Sequence, residues 1–322
     1  MRKRKLGSHG PEITVIGIGT WAIGGAGWQY AWGAQDDKDS IAAIHRAMEV
    51  GINWVDTAAV YGLGHSEEVV GKALAGRRSK LMIATKCSLA WDSGSTEIVD
   101  SLSAPSVRKE LEASLRRLGT DYIDLYQIHW PRPESEIEEG WSEIARAVKE
   151  GKVRYAGVSN FSVHQLRRLH AIHPVTSLQP PYSMLRRETE AELLPFCADN
   201  GIGVIVYSPM QMGLLSGAFS RERVSRLAAD DLRTRNTYFA EPALSRNLAL
   251  VDKLKPIARR HNRSMAELAI AWVLRRSEVT AAIVGSRRPE QVGETVGAAD
   301  WDLTQEEIAE IDALLAAREA MG

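Results

Sequence analysis

Eight short runs of aliphatic and β-branched residues alternate with amphipathic segments along this chain of 322 residues. The first run covers residues 15–18 and the eighth covers residues 281–284. The segments between them carry apolar residues at helical spacing and commonly end at a glycine. One helix is expected to begin with a cap at Ser66, and another is expected over residues 188–200. Eight strand-then-helix units predict a closed parallel (β/α)8 barrel, a TIM barrel, in a single domain over residues 1–322.

Composition and charge argue against several classes of function. The formal net charge is -1, without a basic stripe or an acidic tail, so we expect no binding to nucleic acid or to a membrane. Gly7, Gly10 and Pro11 interrupt the apolar run that a signal peptide would need, and no segment is long enough to span a membrane. The two cysteines, Cys87 and Cys197, make no disulfide framework. We therefore expect a cytoplasmic protein, and an oligomer is compatible with the sequence.

Three connections are too long to be simple turns: residues 19–36, 87–104 and 209–242. Each follows a predicted strand, so each is expected on the face of the barrel that carries catalytic residues. Aromatic content argues against disorder in the first of these loops. Its aromatic residues are Trp21, Trp28, Tyr30 and Trp32. We interpret the tryptophans as part of a substrate pocket or of a contact between subunits.

Side chains that suit proton transfer follow three successive predicted strands. Asp56 and Tyr61 follow the second strand, Lys86 follows the third, and His129 follows the fourth. In a parallel barrel these positions converge over one mouth. A carboxylate would hold Lys86 charged, the ammonium group is expected to lower the pKa of the Tyr61 phenol, and an imidazole can orient a carbonyl or relay a proton. This set is typical of a site that protonates a carbonyl oxygen while hydride reaches the carbon.

The residues around this set resemble the motifs of the aldo-keto reductase family. Residues 56–62 read Asp-Thr-Ala-Ala-Val-Tyr-Gly, and residues 157–161 read Gly-Val-Ser-Asn-Phe. Residues 118–130 read Leu-Gly-Thr-Asp-Tyr-Ile-Asp-Leu-Tyr-Gln-Ile-His-Trp. The motifs follow the family's order, and the resemblance extends from about residue 6 to about residue 303. The chain is most similar to the longer, bacterial-type members related to general stress and inositol-operon aldo-keto reductases.

The resemblance implies an activity and a cofactor. It implies an enzyme that reduces aldehydes or ketones with NADPH, which would lie extended across the barrel mouth. It also implies that Tyr61 is the general acid, that Lys86 and Asp56 tune it, and that His129 orients the substrate carbonyl. The partner of this site would be a small-molecule carbonyl compound.

The resemblance further implies positions for substrate and cofactor. Trp21 and Trp130 match pocket positions, and aromatic walls favour small, uncharged carbonyl substrates with apolar bodies. Arg287 suits the adenosine phosphate, because a guanidinium group forms paired charged hydrogen bonds. The residues implied in cofactor binding are Ser159, Asn160 and Gln179 at the nicotinamide carboxamide, Tyr207 stacked on its ring, Ser208, Gln211, Gly213 and Leu214 at the pyrophosphate, and Ser286, Arg287, Gln291 and Glu294 at the adenosine end, with Gly285 beside them.

Other interpretations use some of the same residues. Residues 17–22 match the G-x-G-x-x-G/A dinucleotide fingerprint, but a Gly-rich aromatic loop follows where that motif needs a helix. The histidines form no HxH or HExxH pattern and no carboxylate cluster completes a site, so we expect neither a metal nor a metal-dependent hydrolase. Ser159 and Asn160 can instead be read as caps of the next helix. The alternative function is a redox sensor or regulatory subunit that binds NADP(H) with little turnover.

Overall fold

Eight parallel strands close into a barrel in the computed structural model, which describes residues 1–92 and 94–320. The strands are β1 (Ile16–Gly19), β2 (Trp54–Asp56), β3 (Met82–Cys87), β4 (Ile123–Ile128), β5 (Val153–Ser159), β6 (Ser177–Gln179), β7 (Gly203–Val206) and β8 (Val279–Gly285). β1 pairs with both β2 and β8, so the predicted (β/α)8 barrel is confirmed. The single domain over residues 1–322 stays a prediction, and positions 321–322 lie outside the described residues, as does Ser93 of the second long loop.

Trp54 of β2 fills the interior of the barrel, where its side chain is completely buried. Gly17 of β1 faces the indole so closely that an added Cβ would lie 2.1 Å from the ring. Packing against Trp54 therefore accounts for this glycine without a bound phosphate. A hairpin of Lys3–Lys5 and Glu12–Thr14, which the sequence did not predict, precedes the barrel. Leu6 from this hairpin belongs to the same apolar cluster as Trp54.

Helices surround the barrel. They are α1 (Asp37–Glu49), α2 (His65–Leu74), α3 (Ala104–Leu118), α4 (Ile137–Lys149), α5 (Val163–His170), α6 (Leu193–Asp199), α7 (Arg221–Ser225), α8 (Ala243–Arg260), α9 (Met265–Leu274), α10 (Pro289–Val296) and α11 (Gln305–Glu319). The predicted cap at Ser66 is wrong, because Gly64 occupies the N-cap position of α2. The hydroxyl of Ser66 instead forms hydrogen bonds with the hydroxyl groups of Thr20 and Thr57. The helix predicted over residues 188–200 is a 3₁₀ turn followed by α6, and α10 was not predicted. Across residues 1–92 and 94–320, no helix combines the length and apolar character needed to cross a bilayer.

The three long loops follow β1, β3 and β7 and contain local structure. The first begins with a 3₁₀ turn at Trp21–Gly24 rather than a helix, which excludes the dinucleotide-fingerprint interpretation. The second contains a small hairpin of Leu89–Ala90 and Val99–Asp100. The third contains α7 and contacts the first loop, where Leu232 N donates to the Ala31 carbonyl oxygen at 3.0 Å. The first and third loops are therefore joined across the mouth of the barrel.

Candidate active site

A buried ion pair joins the ends of β2 and β3. Asp56 is the last residue of β2, and Lys86 lies near the end of the neighbouring β3. Lys86 Nζ donates to Asp56 Oδ1 at 2.6 Å and to the Thr57 carbonyl oxygen at 2.8 Å. Lys86 is 1% exposed and Asp56 is 3% exposed. Because neither charge reaches water, each depends on the other for its stabilisation.

Two glutamine amides complete the polar surroundings of the Asp56 carboxylate. Gln179 Nε2 of β6 donates to Asp56 Oδ2 at 2.8 Å, and Gln127 Nε2 of β4 donates to the same oxygen at 3.4 Å. The sequence places Gln179 at the nicotinamide carboxamide, whereas its amide nitrogen is used here by Asp56. Gln127 was not identified from the sequence. It lies two residues before His129, so strand alternation could have placed it on the same face of β4.

Tyr61 lies on the loop after β2, with its hydroxyl 3.3 Å from Lys86 Nζ. A close backbone contact fixes this loop against the first long loop, since an added Cβ on Gly62 would lie 2.2 Å from the Gly24 carbonyl oxygen. The Tyr61 ring meets the imidazole of His129 edge-on, with 5.7 Å between ring centroids. The four side chains singled out at the strand ends thus lie together at one mouth of the barrel.

Burial raises the pKa of the Tyr61 phenol well above its usual value, and the negative charge of Asp56 raises it further. The expectation that Lys86 lowers this pKa is wrong. The carboxylate of Asp56, 2.6 Å from the ammonium group, already offsets its charge. Burial also lowers the pKa of Lys86 itself, although Asp56 opposes that shift. Tyr61 therefore keeps its proton at neutral pH, as a proton donor must.

The imidazole of His129 is neutral at neutral pH. Burial lowers its pKa well below the usual range, and the positive charges of Lys86 and Arg132 lower it further. The main chain fixes its position, because His129 N donates to the Cys87 carbonyl oxygen at 3.0 Å and its own carbonyl oxygen accepts from Asn160 Nδ2 at 3.0 Å. A neutral imidazole carries one ring N–H, so it offers a hydrogen-bond donor beside the protonated phenol.

An apolar cluster, which we call the aromatic wall, lines one side of the mouth. Trp21 stacks on Tyr61, with 6.2 Å between centroids and 20° between planes, and Trp130 packs in the same cluster. Trp21 Nε1 donates to the Tyr30 carbonyl oxygen at 3.1 Å, so this indole presents its ring rather than a free donor. Further members of the aromatic wall are Trp28, one of the first-loop tryptophans, and Leu89, Trp91 and Ile98, which were not assigned to a pocket from the sequence.

Residues implied in nicotinamide binding form a hydrogen-bonded row across the ends of β5, β6 and β7. Ser159 Oγ donates to the Gln179 carbonyl oxygen at 2.8 Å and accepts from Asn160 Nδ2 at 3.0 Å. Tyr207 donates its hydroxyl to Asn160 Oδ1 at 2.9 Å. The alternative that Ser159 or Asn160 caps the next helix is wrong, because Ser162 forms the capping box of α5. The row presents polar groups and the half-buried ring of Tyr207 to the mouth of the barrel.

Arg186 is a cation beside Tyr207 that the sequence did not reveal. Burial raises the pKa of the Tyr207 phenol to about 12, and the charge and hydrogen bond of Arg186 oppose that rise. Arg186 lies on the loop after β6, and Tyr207 directly follows β7. No local pattern marks a loop arginine as functional. Only the pairing of β6 with β7 in the closed barrel brings the two side chains together.

The loop after β7 has an unusual backbone. Ser208 and Gln211 have positive φ angles of 54° and 47°, and Gly213 has a φ of 87°. Turns of this kind can gather main-chain N–H groups into a concavity that binds anions. Two side chains in the loop are used elsewhere, because Gln211 accepts from Ser183 Oγ at 3.0 Å and Leu214 is fully buried. Any pyrophosphate contact of these two residues would therefore come from the main chain.

The remaining residues implied in cofactor binding lie at the end of β8 and on α10. Gly285 ends β8 and is exposed, Ser286 is buried, and Glu294 is exposed on α10. Gln291 Oε1 accepts from the main-chain N–H of Arg287 at 2.7 Å, so this side chain holds the start of α10. β8 lies beside β7 in the barrel, so these residues continue the row that begins at β5.

The Arg287 guanidinium is held by the first long loop. Its Nε donates to Gln35 Oε1 at 2.6 Å, and its terminal nitrogens donate to the carbonyl oxygens of Trp32 and Ala34. These acceptors carry no formal charge. A phosphate at the same position would be a stronger partner, because charged hydrogen bonds to guanidinium are stronger than neutral ones.

The site is built of acid–base and aromatic groups, and within residues 1–92 and 94–320 no three His, Cys, Asp or Glu side chains are grouped to hold a metal ion. Residues 15–316 match the model of the Aldo/keto reductase family. The chain belongs to this family. Its members are oxidoreductases that act on carbonyl compounds, and the position of the acid–base groups at the mouth of the barrel agrees with that chemistry.

Similar proteins extend over nearly the whole length of this aldo/keto reductase. Aldo-keto reductase YhdN of Bacillus subtilis is 37% identical, covering 98% of this chain and 94% of that protein. An NADH-specific methylglyoxal reductase of Escherichia coli is 35% identical, covering 94% of this chain and 95% of that protein. The solved structure of a glycerol dehydrogenase from Gluconobacter oxydans is 37% identical, with a TM-score of 0.88 over 98% of this chain and 95% of that one.

The buried ion pair makes a prediction about stability. Lys86→Met should lower the free energy of unfolding by about 3–5 kcal/mol at pH 7, because Asp56 would stay buried without its partner. The double variant Lys86→Met, Asp56→Asn should recover much of the loss, since no unpaired charge remains. Urea unfolding of the wild type and both variants measures this. A single variant as stable as the wild type would contradict the mutual dependence of the two charges.

Proposed function

We propose that this aldo/keto reductase is an NADPH-dependent enzyme that reduces aldehydes or ketones to alcohols, with Tyr61 as the general acid. The proposal is carried by one observation, the 3.3 Å contact of the Tyr61 hydroxyl with Lys86 Nζ beside the Asp56 carboxylate. The phenol of Tyr61 is protonated and the imidazole of His129 is neutral, and both states suit carbonyl reduction at neutral pH.

In this mechanism the nicotinamide supplies the hydride, and the chain supplies the proton. The hydroxyl of Tyr61 and the ring N–H of His129 hold the carbonyl oxygen between them as two donors. As negative charge develops on that oxygen, Tyr61 transfers its proton to it, because an alkoxide is a stronger base than a phenolate. Lys86 Nζ, 3.3 Å from the phenol oxygen, can then donate a hydrogen bond to the phenolate that remains.

Three features support NADPH as the cofactor. The row of Ser159, Asn160 and Tyr207 offers the hydroxyl, amide and ring that suit a nicotinamide. The loop after β7 suits a pyrophosphate because of its positive φ angles. Arg287 and the exposed Arg288 suit a 2′-phosphate, and residues 285–288 include no acidic residue to bind an unphosphorylated ribose. The name of the relative from Escherichia coli specifies NADH, and titration with both cofactors tests the preference for NADPH.

We propose small, uncharged carbonyl compounds with apolar bodies as substrates. The aromatic wall, with Trp21 and Trp130, favours the binding of substrates that have apolar or planar surfaces. The third loop brings Arg233 to 4.7 Å from the Trp32 ring, but its guanidinium is paired with the buried Asp231 at 2.6 and 2.9 Å and so is not free for a substrate carboxylate. The names of two relatives specify methylglyoxal and glycerol, which are both small and uncharged.

The alternative function is a redox sensor or regulatory subunit that binds NADP(H) with little turnover. The contacts of Arg287 with the first loop, and the bond from Leu232 to Ala31, favour it because they would slow cofactor release. Steady turnover of an aldehyde with NADPH in excess separates the two functions.

A cytoplasmic setting is part of the main proposal, and it is supported by the balanced charge and by two cysteines that are both free and buried.

Tyr61→Phe should abolish reduction and leave NADPH binding nearly intact. The hydroxyl supplies the proton while the ring only packs, and proton donation typically contributes ~100- to 10,000-fold in rate. Single-turnover oxidation of NADPH and a fluorescence titration of NADPH measure the two effects. Tyr155→Phe, which changes a tyrosine outside the mouth, should keep wild-type activity. Turnover of Tyr61→Phe above about a tenth of the wild-type rate is not compatible with a general acid whose contribution is that large.

Arg287→Ala should weaken NADPH binding and leave NADH binding nearly unchanged. A hydrogen bond to a charged group contributes on the order of 1.5–3 kcal/mol, so NADPH affinity should fall roughly ten- to a hundred-fold. Isothermal titration with each cofactor gives both dissociation constants. If the affinities for both cofactors fall equally, Arg287 holds the first loop and does not bind the additional phosphate.

A benzaldehyde-type substrate should have a higher kcat/KM than an analogue bearing a carboxylate. The aromatic wall offers rings, Arg132 beside the Trp130 ring is paired with Asp100, and Arg233 is paired with Asp231. Trp21→Ala should lower kcat/KM for the aromatic aldehyde and spare NADPH binding. Initial rates at the NADPH absorbance band provide the comparison. A clear preference for the acidic analogue would mean that an arginine leaves its partner to bind the substrate.

A further inference from the structure

Ser88, directly after β3, has a strained main chain that a glutamate holds in place. Its φ angle is +88°, in the region that residues other than glycine rarely adopt. Such a conformation persists only where the surrounding structure imposes it. The main-chain N–H of Ser88 donates to both carboxylate oxygens of Glu110, at 3.1 and 3.3 Å. Glu110 therefore contributes directly to the conformation of this turn.

Glu110 lies on α3, outside the barrel, and is 7% exposed. Its other hydrogen bond is a long one from Ser106 Oγ at 3.5 Å. Arg117, the cation whose charge acts on Glu110, is paired with Glu67 at 2.7 Å. Burial raises the pKa of Glu110 to about 8, although the Ser88 N–H opposes this. A carboxyl group buried with so few partners is costly, so its presence indicates a role beyond stability.

Ser88 in turn connects the ends of β3 and β4. Its hydroxyl accepts a hydrogen bond from Trp130 N at 3.1 Å. The preceding residue, Cys87, accepts from His129 N at 3.0 Å through its carbonyl oxygen. His129 and Trp130 are therefore both attached to the two residues that follow Lys86. A change in the backbone at Ser88 would move these side chains relative to Lys86.

We propose that Glu110 is a positioning residue for the active site, which holds Ser88 in its left-handed conformation so that Ser88 keeps His129 and Trp130 in place. This inference rests on the proposed function of these two residues. It affects the step with the carbonyl substrate more than cofactor binding, because the cofactor residues lie at or after the ends of β5 to β8 and only Asn160 among them bonds His129, at its main-chain carbonyl oxygen. A displacement of about 1 Å can cost roughly a hundred-fold in rate, so the expected loss is about ten- to a hundred-fold.

Variants of the full chain test the proposal by kinetics. Glu110→Ala and Ser88→Ala should each lower kcat/KM for benzaldehyde by about ten- to a hundred-fold and leave the NADPH dissociation constant unchanged. Glu110→Gln should retain most of the activity, because its amide oxygen still accepts from Ser88 N. Glu143→Gln is the matched control, since Glu143 is a buried glutamate of α4 that is paired with Arg108 of α3 and with Arg146 and does not contact Ser88. If Glu110→Ala only lowers Tm and keeps its kcat/KM well below that temperature, the proposal is overturned.

A second readout does not depend on turnover. The imidazole NMR resonances of His129, assigned with His129→Gln, should shift in Ser88→Ala and Glu110→Ala and stay in place in Glu143→Gln. Unchanged resonances in Glu110→Ala would overturn the proposal. If that variant fails to fold, unchanged resonances in Ser88→Ala would still overturn it, because this variant removes only the hydroxyl that accepts from Trp130 N and so breaks the link from Ser88 to β4. A wild-type protein that reduces no carbonyl compound would instead contradict the proposed function, and the resonances would still decide the role of Glu110.

Discussion

The ion pair of Asp56 and Lys86 is the interaction on which the rest of the candidate site depends. Two opposite charges 2.6 Å apart are nearly without contact to water, so their geometry is restricted. The amides of Gln127 and Gln179 occupy the second oxygen of Asp56, which ties the ends of β2, β3, β4 and β6 to one carboxylate. A rigid barrel mouth of this kind can hold a phenol at 3.3 Å from the ammonium group without help from the substrate.

Burial sets the protonation states of the site. It raises the pKa of the Tyr61 phenol and lowers that of the His129 imidazole, so both groups are neutral hydrogen-bond donors at neutral pH. The aromatic wall contributes to the burial of Tyr61, since Trp21 stacks on its ring. The same residues that would select an apolar substrate thus also keep the proton on the acid. In the proposed mechanism, substrate selectivity and acid strength are therefore linked through one cluster.

The fold was largely predictable because the barrel strands and most helices have a local signal. Buried strands are short aliphatic runs, and helix ends are marked, as by Gly119 with its φ of +63°. The hairpin before β1 was missed because its strands, Lys-Arg-Lys and Glu-Ile-Thr, are short and mostly polar and form no aliphatic run. Strand-end positions were enough to place Asp56, Tyr61, Lys86 and His129 at one mouth, since barrel topology fixes where strands end.

The direction of the Tyr61 pKa shift was not predictable, because desolvation depends on what covers a group in three dimensions. The contacts of Arg287 with the first loop were missed for a similar reason, as they join residues about 250 positions apart.

Burial holds the pKa of the Tyr61 phenol above its usual value of about 10, so that this group keeps its proton at neutral pH. An NMR titration of the full chain carrying ¹³Cζ-labelled tyrosine tests it most directly, with the Tyr61 signal assigned by Tyr61→Phe. We expect this signal to keep the chemical shift of a neutral phenol up to and beyond pH 10, the usual pKa of tyrosine. A Tyr61 phenol that ionises below pH 10 would contradict the account, because Lys86 rather than burial would then control its pKa.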